Sequence, residues 1–309
     1  MRILVLGSTG YLGGHVVERL RALTGAQVLG GGRLADADHR VDLATARPEQ
    51  LAKTLASAAP DTVVNCAGAT GGDPVTLAEV NARGPAVLCA ALRDAAPAAR
   101  LVHLGSAAEY GPGVPGTPDT ETAPTSPVGP YGATKLAGTA AVTASGLDAV
   151  VLRIGNPVGP GAPAGGLPGR VAALLRAAGR DPRAVLRLGD LSAHRDFVDV
   201  RDVARAVERA ATAPGPLPPV LNIGGGAAVP VREMVHGLAR HAGFIGRIEE
   251  SVDGSAGSAG PAGPAGSARS ARVSWQCSDI TAAADALGWR PEHTLDDALA
   301  ALWEGGGTP

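Results

Sequence analysis

Lysine is almost absent. Only Lys53 and Lys135 stand among 27 basic residues, so nearly every positive charge is an arginine. Aromatic residues make up 3% of the 309-residue chain, too few for a platform on which nucleic-acid bases stack. Charge of one sign is not in excess: the formal net charge is −2, which excludes the basic stripe of a nucleic-acid binder and a polybasic membrane patch. No apolar run reaches the roughly 18 residues that a membrane span needs. The three cysteines, Cys66, Cys89 and Cys277, lie far apart without metal or redox spacing. They read as buried free thiols of a reducing compartment, and no metal is expected. The first residues, Met1 to Gly7, read as a strand entering a turn and not as a secretory leader. These absences point to a cytoplasmic protein with a small-molecule substrate and no nucleic-acid or membrane partner.

What is present is an α/β pattern, in a chain long enough for one large core and a smaller lobe. Residues 2–6 are an apolar strand suited to the centre of a parallel sheet. Gly7-Ser-Thr-Gly10-Tyr-Leu-Gly13 follows, then an amphipathic helix to about Leu23. Gly7 allows the tight turn, Gly10 lets backbone approach a diphosphate at the helix N-terminus, and Gly13 lets helix and strand pack closely. Gly7, Thr9, Gly10, Tyr11, Leu12 and Gly13 are therefore the expected dinucleotide cradle. The second strand, Gln27 to Gly32, ends at Arg33. An acid there would grip the ribose of NAD; an arginine suits the 2′-phosphate of NADP, although an ordinary surface arginine reads the same way. NADP(H) is the expected cofactor, with NAD(H) also accepted.

Val41-Asp42-Leu43 looks like a third strand end, and Asp42 and Leu43 are further cofactor candidates. Residues 48–58 read as a helix. Asp61 to Gly68 is a fourth strand entering a small-residue loop, where Ala67 and Gly68 would flank the cofactor. A helix over 75–95 carries Asn81, and a fifth strand over 100–105 delivers Ser106 to the carboxyl edge, where open α/β sheets place ligands. Ser106 is either a loop hydroxyl or a donor to a substrate carbonyl. Residues 112–129, rich in Pro and Thr, read as a surface loop over the site.

Tyr131-Gly-Ala-Thr-Lys135 lies in a helix to about Ser145, so phenol and ammonium share a face. A lysine cation beside a phenol pulls the tyrosine toward phenolate, letting it exchange a proton near neutral pH. A surface helix that happens to carry both residues is the bland alternative. Strands at 149–154, 184–188, 220–224 and 245–249 and helices at 168–178, 230–242, 279–287 and 295–303 complete the pattern, with Asp199 as a helix N-cap. Residues 253–271 are Gly, Ser, Ala and Pro with almost no apolar bulk, and 253–268 reads as a flexible loop.

These motifs, with Asn156-Pro-Val-Gly-Pro160, Arg195-Asp-Phe197 and Gly288-Trp-Arg-Pro291, resemble the extended short-chain dehydrogenase/reductase superfamily, nearest to GDP-4-keto-6-deoxymannose reductase-like sugar 4-ketoreductases. The resemblance implies a doubly wound Rossmann domain over 1–165, with 198–228 returning to it. It also implies a small C-terminal substrate lobe from 166–197 and 229–309. In that reading Ser106 holds the carbonyl, Tyr131 is the general acid, and Lys135 tunes Tyr131 and binds the nicotinamide ribose. Ser106, Ala107, Asn156, Arg195 and Arg269 would meet the substrate. Sugar 4,6-dehydratases place one or two acids just after the serine; here Ala107 and Ala108 stand, which disfavours dehydration. The implied activity is NADPH-dependent reduction of the 4-keto group of a nucleotide-linked 4-keto-6-deoxysugar. A ketoreductase of a polyketide or other secondary metabolite, an NAD-dependent nucleotide-sugar epimerase and a non-catalytic cofactor-binding regulator stay open, as does a homodimer.

Overall fold

The structure, a computed structural model, describes residues 1–250 and 273–306. The expected loop at 253–268 and Arg269 lie outside the described residues. Twelve strands are described: β1 (Arg2–Leu6), β2 (Gln27–Gly32), β3 (His39–Arg40), β4 (Thr62–Asn65), β5 (Arg100–Ser106), β6 (Ala149–Ile154), β7 (Asn156–Val158), β8 (Val185–Leu188), β9 (His194–Asp199), β10 (Val220–Ile223), β11 (Ala228–Pro230) and β12 (Arg247–Glu250). The helices are α1 (Tyr11–Arg21), α2 (Pro48–Ala58), α3 (Pro74–Ala78), α4 (Gly84–Ala95), α5 (Pro130–Thr143), α6 (Leu167–Ala178), α7 (Val200–Thr212) and α8 (Val231–His241), followed by Thr281–Leu287 and Leu295–Glu304.

Seven strands form one parallel sheet in the order β10-β6-β5-β4-β1-β2-β3. An interior strand, β1, shows why the run is apolar throughout. Ile3 and Val5 enter the core on one face, with α1 and α7; Leu4 and Leu6 enter the core on the other, with α2 and α4. A strand covered on both faces has no polar side to show. A third apolar cluster, with Val158, Leu175, Phe197, Met234 and Leu299, gathers α6, α8 and the last helix around two small sheets, β11-β9-β7 and β12-β8. The Gly288-Trp-Arg-Pro291 segment anchors the C-terminal chain to α7. Trp289 is fully buried, its indole N–H donates to the Asp202 carbonyl at 2.9 Å, and the Asp202 carboxylate accepts from the backbone N–H of Glu292 and His293. Asp199 caps α7 as expected, accepting from the Arg201 N–H at 2.7 Å.

Three expectations are corrected. The third strand is His39–Arg40; Val41 to Leu43 follows it as a turn, held by the Asp42 carboxylate accepting from the Ala44 N–H. α1 begins at Tyr11, so Gly13 lies inside its first turn and not before the helix. The single helix expected over 75–95 is interrupted by a π turn at Glu79–Arg83, where Asn81 turns inward.

Gly13 is required by contact. A Cβ there would sit 2.0 Å from the Gly7 carbonyl oxygen, which closes the turn by accepting from Gly10 N–H. At Gly14, exposed on the same helix, the nearest atom to an added Cβ is 4.0 Å away. Gly13→Ala is therefore expected to destabilise by about 1–3 kcal/mol through overpacking. Gly14→Ala is expected to stabilise by up to about 1 kcal/mol through helix propensity. Thermal melting of the two variants tests this; equal shifts would contradict the close-approach argument.

Candidate active site

The cradle forms where β1 gives way to α1. Gly7 adopts φ +75°, and a Cβ there would lie 2.7 Å from the Ala67 backbone nitrogen, so the turns after β1 and β4 press together. Gly10 caps α1 with no side-chain hydrogen bond, so the first-turn N–H groups around Tyr11 and Leu12 keep their capacity for an anion. Thr9 and Gly10 are exposed at this mouth. Arg33 is exposed just past the end of β2, and Arg40 pairs in register with Gly32 beside it. An acid missed in the sequence also stands here: Asp38 accepts from the Gly30 N–H at 2.7 Å, close to Ser8. Asp42 is half-buried and Leu43 is buried below this edge.

On the other side, Gly68 lies between the cradle and the side chains of Asn81 and Lys135. A Cβ at Gly68 would sit 3.5 Å from Asn81 Oδ1 and 3.9 Å from Lys135 Nζ. Asn81 pins this loop by taking the Ala69 N–H and donating to the Ala69 carbonyl, then donates to Thr134 Oγ1 on α5. The π turn puts its amide in reach of both, and such turns recur at functional sites.

Ser106 ends β5 with its orientation set twice. Its N–H donates to Glu109 Oε1 at 2.8 Å, and its Oγ accepts from the Ala108 N–H at 3.2 Å. That leaves the hydroxyl proton to donate outward, as a carbonyl-holding serine must. Glu109 is completely buried and its other oxygen accepts from Arg153 Nε at 2.8 Å. Arg153 lies over the Tyr110 ring at 4.5 Å, and the Tyr110 hydroxyl donates to Asn222 Oδ1. Glu109 is thus a strut for Ser106. Nothing in the sequence but its place three residues after Ser106 signals this.

Tyr131 stands at the start of α5, half-buried, and Lys135 is buried one turn on, its Nζ donating to the Leu104 carbonyl next to Ser106's strand end. The loop expected to lie over the site is stitched down: Gly113 N–H donates to the Trp275 carbonyl and Asp119 N–H to the Cys277 carbonyl. Among the expected substrate contacts, Ala107 is buried beside Ser106. Asn156 begins β7, two residues past Ile154, the register partner of Ser106. Arg195 is 5% exposed and donates to the His194 carbonyl. Gln276, not singled out in the sequence, joins Ala107 and Asn156 through its side chain.

A family model described as the NAD dependent epimerase/dehydratase family matches residues 3–224, from β1 through the cradle, Ser106, Tyr131 and Lys135 to the end of the sheet. The chain belongs to that family. This family member is 39% identical to the dTDP-6-deoxy-L-talose 4-dehydrogenase (NAD(P)(+)) of Kitasatospora kifunensis, over 98% of this chain and 94% of that protein. Among solved structures it resembles RMD from Pseudomonas aeruginosa complexed with NADPH, at TM-score 0.81, 26% identity and 98% of each chain. It resembles equally the Thermus thermophilus UDP-glucose 4-epimerase complexed with NAD, at TM-score 0.81, 26% identity and 100% of each chain. The epimerase/dehydratase-family chain is accordingly an NAD(P)-dependent enzyme on the Rossmann-type sheet that its motifs implied. Among the described residues no helix is long and apolar enough to cross a membrane.

The electrostatics of this family member's Lys135 were not legible beforehand. Burial pulls its ammonium from 10.5 to about 8, with the Glu109 carboxylate and Cys66 acting in the opposite direction. His103, buried behind it on β5, is held well below its ordinary value by burial and by Lys135, and so is neutral. Cys66 is pushed up to about 12 by burial, so it stays a thiol. The lysine charge, on which any lowering of the Tyr131 proton affinity depends, is present below about pH 8 and lost above it. The rate, read as kcat/KM of the free enzyme, is expected to fall on the alkaline side near pH 8. Glu109→Gln, which removes the charge that sustains the ammonium, should move that limb to lower pH. A profile flat to about pH 10, the ordinary lysine range, or a limb that Glu109→Gln leaves in place, contradicts this.

Proposed function

We propose that the protein is an NADPH-dependent ketoreductase that reduces the 4-keto group of a nucleotide-linked 4-keto-6-deoxyhexose. The observation that carries the reading is the composition of the Ser106 turn. Ser106 keeps its hydroxyl proton for a carbonyl, Ala107 and Ala108 offer no acid or base, and the carboxylate of that turn, Glu109, is committed to Ser106 and Arg153. A site so built can move a hydride and a proton but has no group to expel water. The 39% identical relative, whose name describes 4-dehydrogenation of dTDP-6-deoxy-L-talose, supports both the position on the sugar and a dTDP-linked substrate. Dehydrogenation and ketoreduction are the two directions of one reaction. Arg33, with Arg40 beside the end of β2, supports NADPH and hence the reducing direction.

When bound, the cofactor supplies the hydride. The residues that would hold it are the Gly7–Gly13 turn, Arg33, Ala67, Gly68 and Lys135. Ser106 donates to the ketone oxygen and fixes its direction. Tyr131 gives its phenolic proton to that oxygen as the alkoxide forms, and Lys135 stabilises the phenolate left behind. Lowering of the oxygen's charge by two donors is differential binding of the transition state.

A second reading, NAD-dependent epimerisation, is favoured by one observation: Asp38 is an acid near the end of β2, where a ribose hydroxyl would be held. Net turnover separates the two. The ketoreductase oxidises NADPH stoichiometrically against dTDP-4-keto-6-deoxysugars, whereas an epimerase consumes none. Arg33→Asp is expected to weaken NADPH much more than NADH, by about tenfold or more for a lost charge-assisted contact; equal weakening removes the NADPH assignment. Tyr131→Phe is expected to lower kcat by at least about 100-fold with NADPH affinity little changed. Near-normal kcat in that variant would mean that the proton comes from another group.

A further inference from the structure

Segment 273–278 crosses the site between the 112–119 loop and β9, holding Gly113 and Asp119 on one side and His194 on the other through backbone hydrogen bonds. Gln276 is its inward amide and is only 7% exposed. A buried amide is costly unless hydrogen-bonded. Gln276 Nε2 donates to the Ala107 carbonyl at 2.8 Å, which fixes which end of the amide is which, because a carbonyl only accepts. Its Oε1 is left toward Asn156 Nδ2, at 3.5 Å, the long end of hydrogen bonding. The same Nδ2 donates to the Asp196 carbonyl at 3.2 Å, again a partner that can only accept. Both hydrogens of the Asn156 amide are thereby committed to protein. What remains is its carbonyl oxygen, with no protein partner among the described residues, on a half-buried residue two positions beyond the level of Ser106.

We infer that Gln276 is a positioning residue that locks Asn156 with its Oδ1 outward, as an acceptor for a hydroxyl group of the substrate. The inference rests on the nucleotide-sugar reading above and deepens it. An oxygen with no proton of its own selects a donor, so it suits a ring hydroxyl and not a second carbonyl or a phosphate oxygen. Without Gln276 the Asn156 amide loses one of the two partners that set its direction. The Ala107 carbonyl loses its side-chain donor and keeps the Tyr110 N–H.

The test uses the full chain with NADPH, a dTDP-4-keto-6-deoxyhexose and its 2-deoxy and 3-deoxy analogues. The wild type is expected to lose about tenfold in kcat/KM on one of the two analogues, mostly in KM, as for one neutral hydrogen bond. Gln276→Met, close in shape but unable to hydrogen-bond on either side, should lose about tenfold on the parent sugar. It should then show nearly no further loss on that same analogue, which is the signature of two changes acting on one contact. NADPH affinity should be unchanged. Gln276→Leu, which likewise can neither donate to the Ala107 carbonyl nor accept from Asn156 Nδ2, should behave alike and decides the matter if the Met variant fails to fold. Wild type indifferent to both deoxy changes, or variants that keep full discrimination, would overturn the inference while leaving ketoreduction intact. Wild type inert on all three sugars would overturn the functional reading itself, before any variant is made.

Discussion

A carboxylate with no exposure to water organises the site. Burying an ionised group is expensive unless it is paired and its remaining lone pairs are filled. Glu109 meets both conditions with Arg153 on β6 and with the Ser106 N–H on β5. The pairing has directional consequences. It ties the turn after β5 to the neighbouring strand and turns Ser106 so that its Oγ takes the Ala108 N–H and its proton faces out. It also places a negative charge close enough to sustain the ammonium of Lys135 against burial. One ion pair therefore couples the residue that would hold the carbonyl to the residue that would stabilise the proton donor. Removing one partner of a buried pair costs about 3–5 kcal/mol, so the geometry of Ser106 and the fold of this edge are not separable.

The cradle depends on a different constraint, the space between backbones. Gly7 and Gly13 are read correctly from sequence because their role is local: a strand, a turn and a helix within thirteen residues leave room for nothing larger. The parallel sheet is legible for a similar reason, since apolar runs such as Ile3–Leu6 need cover on both faces. That Tyr131 and Lys135 share one helix, one turn apart, is legible through helical spacing alone. Asp199 is legible as a cap because its carboxylate reaches only two residues along the chain.

What was not legible depends on partners far along the chain. The π turn at Asn81 exists because the amide bonds Ala69, twelve residues earlier, and Thr134, fifty-three later; helical periodicity over 75–95 contains neither. Asp38 is a loop residue in sequence, yet parallel pairing of β2 with β3 brings it to Gly30. Arg195 carries the expected motif, but the fold buries it to 5% exposure, a consequence of packing and not of the motif. Lys135 looks like a simple cation in sequence; only its burial makes it titrate near 8.

The same distinction bears on how one fold separates neighbouring chemistries. Hydride transfer and proton donation need a carbonyl-holding serine, a tyrosine and a lysine, all set by one strand end and one helix. Dehydration needs an additional acid or base at the turn after that strand. Here the turn has Ala107 and Ala108, and the next carboxylate points away into Arg153. Ala108 is partly buried and carries no group that can give or take a proton. Glu109, held by Arg153 on one oxygen and by the Ser106 N–H on the other, acts on this turn through position and not as a free acid or base.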